Sequence, residues 1–185
     1  MPHRARLFAT RLFARGLIAQ SLVAGGLVAG SLVAGSLASP AAALAQDAPY
    51  VDDRSDGAKL VQSLYNAIER KEYARAYAYF GDKPPAGDYA SFVEGYKKTV
   101  DVEVKTGVVT QEGAAGSLYA PVPVAVRSVD KDGKERIFAG CYVTRIVNAA
   151  IQEPPFTPLH IESAELEEVK TPFDASVPKV CHTPS

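Results

Sequence analysis

The sequence predicts an α+β domain in which three N-terminal helices pack on a curved four-stranded antiparallel sheet. Two observations carry this. Between residues 55 and 96 apolar side chains recur at helical spacing, and from residue 100 onward the period switches to two. Helices gathered early in the chain and strands late give a layer architecture with the helices on one face of the sheet.

The first helix begins at Ser55 or Asp56, either of which can cap orphan amides. Leu60, Val61, Leu64, Tyr65 and Ile68 then share one face. Glu69, Arg70, Lys71 and Glu72 form a polar hinge, after which Tyr73, Ala76, Tyr77 and Phe80 repeat the helical spacing. Gly81 with Pro84 and Pro85 ends that second helix. A third starts near Asp88 and buries Tyr89, Phe92, Val93 and Tyr96.

Val100, Val102 and Val104 alternate with Asp101, Glu103 and Lys105, the pattern of a strand wet on one face. The Gly113-Ala114-Ala115-Gly116 run breaks it. Leu118, Ala120, Val122, Val124 and Val126 make a second strand. Pro121 and Pro123 place that strand at an edge or on a bulge, because proline cannot donate to a ladder. Asp130-Lys131-Asp132-Gly133 reads as a hairpin turn; it opens like a calcium loop but lacks the closing glutamate. Residues 136–147 are apolar on both alternating sets and predict a central strand. Residues 159–169 form the fourth strand, with Ile161 opposed in phase to Leu166, and 171–185 are a proline-containing tail.

Residues 1–45 read as a secretory signal. Arg4, Arg6, Arg11 and Arg15 precede an uncharged stretch over 16–37, and Ala43-Leu44-Ala45 supplies small residues around a cleavage point after Ala45. The competing reading is an uncleaved anchor, since about 20 apolar residues span a bilayer, although glycine and alanine dilute this run. Residues 46–54 read as a linker and 55–170 as the domain. The whole chain carries 20 Lys and Arg against 21 Asp and Glu; four of the basic residues lie in the signal, so the remainder has 16 against 21, a net charge of −5. That balance argues against nucleic acid as a partner. A periplasmic or secreted bacterial location follows from the signal.

Tyr65-Asn66-Ala67-Ile68 closing the first helix, followed by Lys71-Glu72-Tyr73-Ala74-Arg75-Ala76-Tyr77 opening the second, resembles NTF2-like (SnoaL/cystatin-like cone) proteins. The segments 53–55, 113–119, 140–142 and 161–164 are similar to a group of exported bacterial proteins of unassigned function. The resemblance implies a cone-shaped fold. It also implies that isomerases or cyclases of the wider superfamily place acid–base residues in the mouth of the cone, but no motif here carries any of those residues over.

Among candidate site residues, Tyr65, Tyr73, Tyr77, Tyr96, Tyr119 and Tyr142 are expected to line the cone; tyrosine offers an apolar body and a polar tip suited to a ring-bearing ligand. The competing reading is core packing. His160 is the candidate base if the chain is an enzyme. No His or Cys spacing suggests a metal site, no GxSxG elbow suggests a serine hydrolase, and no cofactor is expected. Cys141 and Cys181 are expected to form a structural disulfide that ties the tail across the sheet. The function expected is a non-enzymatic envelope module that binds a small apolar ligand or an envelope protein, with a homodimer through the sheet as a further expectation. The alternative is an isomerase, cyclase or hydrolase working in the cone.

Overall fold

The structure is a computed structural model that describes residues 48–82, 84 and 87–181, all within one unit. The expected signal, its cleavage point and His182 lie outside the described residues. Among these residues no helix is long and apolar enough to cross a membrane.

Helix α1 spans Gly57–Glu69, and the Asp56 carboxylate accepts from the Lys59 amide, satisfying one orphan donor of the first turn. Its apolar face puts Leu60, Val61, Leu64 and Ile68 fully out of solvent. The polar hinge ends the helix as a Schellman motif. Lys71 takes φ 60, its amide donates to Ile68, and the Glu72 amide donates to Ala67. Helix α2 (Tyr73–Tyr77) is shorter than its periodicity predicts. Phe80 instead forms a bridge to Ile161 of the sheet, with Ile161 donating to the Tyr79 carbonyl and Gly81 to that of Ile161. Helix α3 spans Tyr89–Tyr96 and is capped by Asp88, which accepts from the Ser91 amide.

The antiparallel sheet has five strands, not four: β1 (Thr99–Thr106), β2 (Glu112–Ala114), β3 (Ser117–Asp130), β4 (Glu135–Val147) and β5 (His160–Val169). The order is β1-β3-β4-β5, with β2 also on β3. The extra strand comes from the run read as a break. Ala115 at φ 46 and Gly116 at φ 76 make a two-residue turn in the left-handed region, which matches the twist of a hairpin. An alanine at the first turn position hides this signal.

β3 is central, although its prolines predicted an edge or a bulge. Along its outer side β1 reaches only to Thr106, opposite Val124, and β2 starts at Glu112, opposite Tyr119. Pro121 and Pro123 fall in the gap between them. The Pro123 carbonyl accepts from Gly107 on that side, so its donor-less nitrogen faces the gap and no ladder bond is lost. In β5 the register shifts between Val143 and Thr144, placing Thr144 opposite Ile161 and Val143 opposite Ser163. The extra residue, Glu162, brings Ile161, Ala164 and Leu166 onto the core side despite their opposite parity.

The helices cover the face carrying Val122, Val124, Val126 and Tyr142. On the opposite face the tail lies over Pro123: Val177 flanks Gly107, and Phe173 sits under the cations of Lys105 and Arg127. Cys141 and Cys181 stand at disulfide distance with Cα atoms 5.9 Å apart. At the other end of the domain the stretch read as a linker is docked against the helices. Val51 donates to Asn66 Oδ1, Arg70 and Arg75 donate to the Ala48 and Val51 carbonyls, and the Tyr79 hydroxyl donates to Asp52.

Candidate functional site

Tyr65 from α1, Tyr96 from α3 and Tyr142 from β4 meet around a cavity of about 360 Å³ between the helices and the sheet. The phase of each element puts them there. Tyr65 shares the buried stripe of α1 with Leu64 and Ile68, and Tyr142 shares the inner set of β4 with Phe138. Val102, Val126 and Leu166 supply aliphatic wall, and Phe92 packs edge-on to Tyr96 with centroids 5.1 Å apart.

The Tyr65 and Tyr142 hydroxyls are 2.7 Å apart and both residues are buried. Either oxygen can donate, so one proton is used between them and the other hydroxyl proton is not. Burial raises the pKa of both, the nearby Tyr96 adds to it in each, and both stay neutral at physiological pH. Burial, with Tyr73 alongside, pushes Tyr96 up to about 12. The polar lining is Ser91, Thr99, Ser128 and Arg136; Ser91 is exposed, Arg136 half-buried, and Thr99 and Ser128 are buried. Among the described residues, no histidine or carboxylate lines this cavity.

The other expected site residues lie elsewhere. Tyr73 does not line the cavity; it backs Tyr96, stacked at 6.5 Å and 19°. Tyr77 packs edge-on against Phe92 and donates to the Gly87 carbonyl, as part of an aromatic cluster between α2 and α3. Tyr119 is on the opposite face of the sheet, under the Arg145 guanidinium. His160 is also apart. Its ring is 10% exposed, and lines a separate pocket with Gly81, Asp82, Arg145 and Glu162. Its Nδ1 lies 3.0 Å from the Pro158 carbonyl and its Nε2 lies 3.2 Å from Glu162. The expected partnership of His160 with a cone tyrosine is therefore not formed. The strand phase explains it: His160 sits opposite Arg145 on β4, in the phase opposite to Tyr142, which faces Ala164.

Arg136, Ser128, Thr99 and Phe138 also line the cavity and were not among the expected residues. Their signal was available in phase: Arg136 has the parity of Phe138 and Tyr142, which makes it a charged residue on an otherwise inward set of β4.

A scan against family models and a search of curated proteins found no match. Several solved structures do match, at low sequence identity. One is an NTF2-like superfamily protein from Salmonella enterica serovar Typhimurium, 11% identical, covering 62% of this chain and 89% of its own, at a TM-score of 0.45. ActVI-ORFA from Streptomyces coelicolor is 14% identical over 60% of this chain and 92% of its own, at 0.42. A type 2 hexachlorocyclohexane dehydrochlorinase is 6% identical over 59% of this chain and 80% of its own, at 0.43. Likeness of this degree says nothing about substrate or activity.

Proposed function

We propose that this chain is an exported binding protein of the bacterial envelope that holds a small ring-bearing molecule in the tyrosine cavity without transforming it. One observation carries the reading: the cavity joins aromatic and aliphatic walls to a buried tyrosine hydroxyl pair, while its described lining offers neither histidine nor carboxylate. Apolar walls with a few placed polar groups are what a small-molecule site needs. Acid–base catalysis needs a group that can take or give a proton near neutral pH within hydrogen-bond reach of the ligand. His160, the expected base, lines another pocket, and Tyr65 and Tyr142 hold their protons far above neutrality. The pairing of Cys141 with Cys181 supports an oxidising compartment, as does the signal expected from residues 1–45.

Calorimetric titration of the purified protein with the neutral ring compound 2-naphthol tests this. Saturable one-site binding that is abolished by Val126→Phe, which fills the cavity, is the expected result. Equal binding by the folded Val126→Phe variant, or none by the wild type, would contradict the reading.

A further inference from the structure

We infer that the end of the domain formed by the α1–α2 hinge, the start of β1 and the β3–β4 turn is a docking surface for an anionic lipid membrane. Five of the ten lysines in the chain converge there: Lys71, Lys97, Lys98, Lys131 and Lys134. Bonds between three separate stretches bring them together. The Lys71 ammonium donates to the Thr99 carbonyl at 3.0 Å, and the Lys131 amide donates to the Lys98 carbonyl at 2.9 Å. The Asp130 amide donates to the Lys134 carbonyl, which holds Lys134 in the same turn as Lys131. All five lysines are exposed. Lys97 pairs with Glu94 at 3.3 Å, but among the described residues Lys71, Lys98, Lys131 and Lys134 make no ion pair. Two carboxylates stand close to them in sequence, Asp101 and Asp132, and Asp132 already accepts from the Lys134 amide. This end therefore carries an excess of positive charge, although acidic residues outnumber basic ones beyond residue 45.

Exposed apolar groups beside the lysines favour a membrane over a soluble polyanion. Val100, next to Thr99, is 44% exposed. Tyr50 is 59% exposed, and its ring centroid lies 5.7 Å from the guanidinium of Arg70, the neighbour of Lys71. Tyrosine suits the headgroup boundary, where its ring meets acyl chain and its hydroxyl stays wet. Lysine rests its stem on apolar surface while its ammonium reaches the phosphates. A soluble polyanion would use the cations and leave Tyr50 and Val100 in water. The chain also enters the described domain at this end, since Arg70 donates to the Ala48 carbonyl. A form still joined to the uncharged stretch over residues 16–37 would carry the same end toward the bilayer. Without that stretch, a basic patch alone gives reversible binding that salt weakens.

Co-sedimentation of the exported form, beginning at Gln46, with lipid vesicles tests this. Vesicles of phosphatidylcholine and phosphatidylglycerol in equal parts are expected to bind the protein about tenfold or more tightly than vesicles of phosphatidylcholine alone, and rising salt should weaken that binding. Lys98→Glu combined with Lys131→Glu should lower affinity for the mixed vesicles about tenfold or more. Lys179→Glu, at an exposed tail position, makes the same kind of charge change and should leave affinity as it was. Equal binding to the two vesicle types, or to neither, would overturn the inference, as would an equal loss in Lys179→Glu. Binding to soluble polyphosphate with the same lysine dependence, and none to the mixed vesicles, would replace the membrane by a soluble polyanion. The comparison of the two vesicle types on the wild type stands even where a variant folds poorly.

Discussion

The hydroxyls of Tyr65 and Tyr142 meet at 2.7 Å and join α1 to β4 inside the cavity, their rings edge-on with centroids 6.2 Å apart. Removing one hydroxyl leaves the other buried without its partner, whereas removing both leaves an apolar contact of similar shape. Tyr65→Phe and Tyr142→Phe are each expected to cost about 1–3 kcal/mol, and the double variant less than their sum. A double-mutant cycle by urea denaturation measures this; strict additivity would mean that the pair is not coupled.

Alkaline titration reads the same burial. Tyr96, Tyr65 and Tyr142 all have folded-state pKa values raised above 10, so between pH 10 and the folded value the unfolded chain binds fewer protons than the folded one. Their contribution is therefore fully present below pH 10 and is lost as pH rises, for Tyr96 up to about 12. Absorbance at the tyrosinate band should show a cooperative step above pH 10 that coincides with loss of secondary structure. A single non-cooperative step near pH 10 would contradict the burial of the set.

Val102 and Glu103 test the phase of β1. Val102 is buried and lines the cavity, while Glu103 pairs with Arg127 on the far face. Val102→Asp places an unpaired carboxylate in the core and is expected to cost several kcal/mol, roughly enough to unfold the domain. Glu103→Ala removes a half-exposed ion pair and should cost less than about 1 kcal/mol. Equal tolerance of both by thermal melts would put the strand in the other phase.

The Cys141–Cys181 pair closes a separation of 40 residues. Losing such a crosslink costs about 4 kcal/mol in the chain-entropy account. Cys181→Ala should lower stability by up to that amount and make the tail beyond Lys170 sensitive to trypsin, since Phe173, Val177 and the Lys105–Asp174 ion pair would then be left to hold it on the sheet. Mass spectrometry of unreduced protein should show no alkylatable thiol; two free thiols would contradict the pairing.

The caps and apolar stripes of α1 and α3 were legible because Asp56, Asp88 and the heptad-like spacing act locally. Three features were not legible because they depend on partners distant in sequence. α2 stops at Tyr77 because residues 79–81 bond to Ile161. Pro121 and Pro123 sit mid-sheet because β1 and β2 leave a gap beside them. Ile161 and Leu166 share a face only through the extra residue in β5. The site was half legible for the same reason. Six tyrosines were visible, but only the inward phase of Tyr65, Tyr96 and Tyr142 brings them together, while Tyr119 falls on the outward set of β3 and His160 at the far end of β5.

Tyrosine-selective NMR tests most directly whether the cavity around Tyr65, Tyr96 and Tyr142 holds a ring-bearing ligand. With ring-labelled tyrosine, 2-naphthol should shift the resonances of Tyr65, Tyr96 and Tyr142 in a saturable manner and leave Tyr119 and Tyr50 unmoved. Saturable shifts at Tyr119, or no shift at any of the three cavity tyrosines, would contradict it.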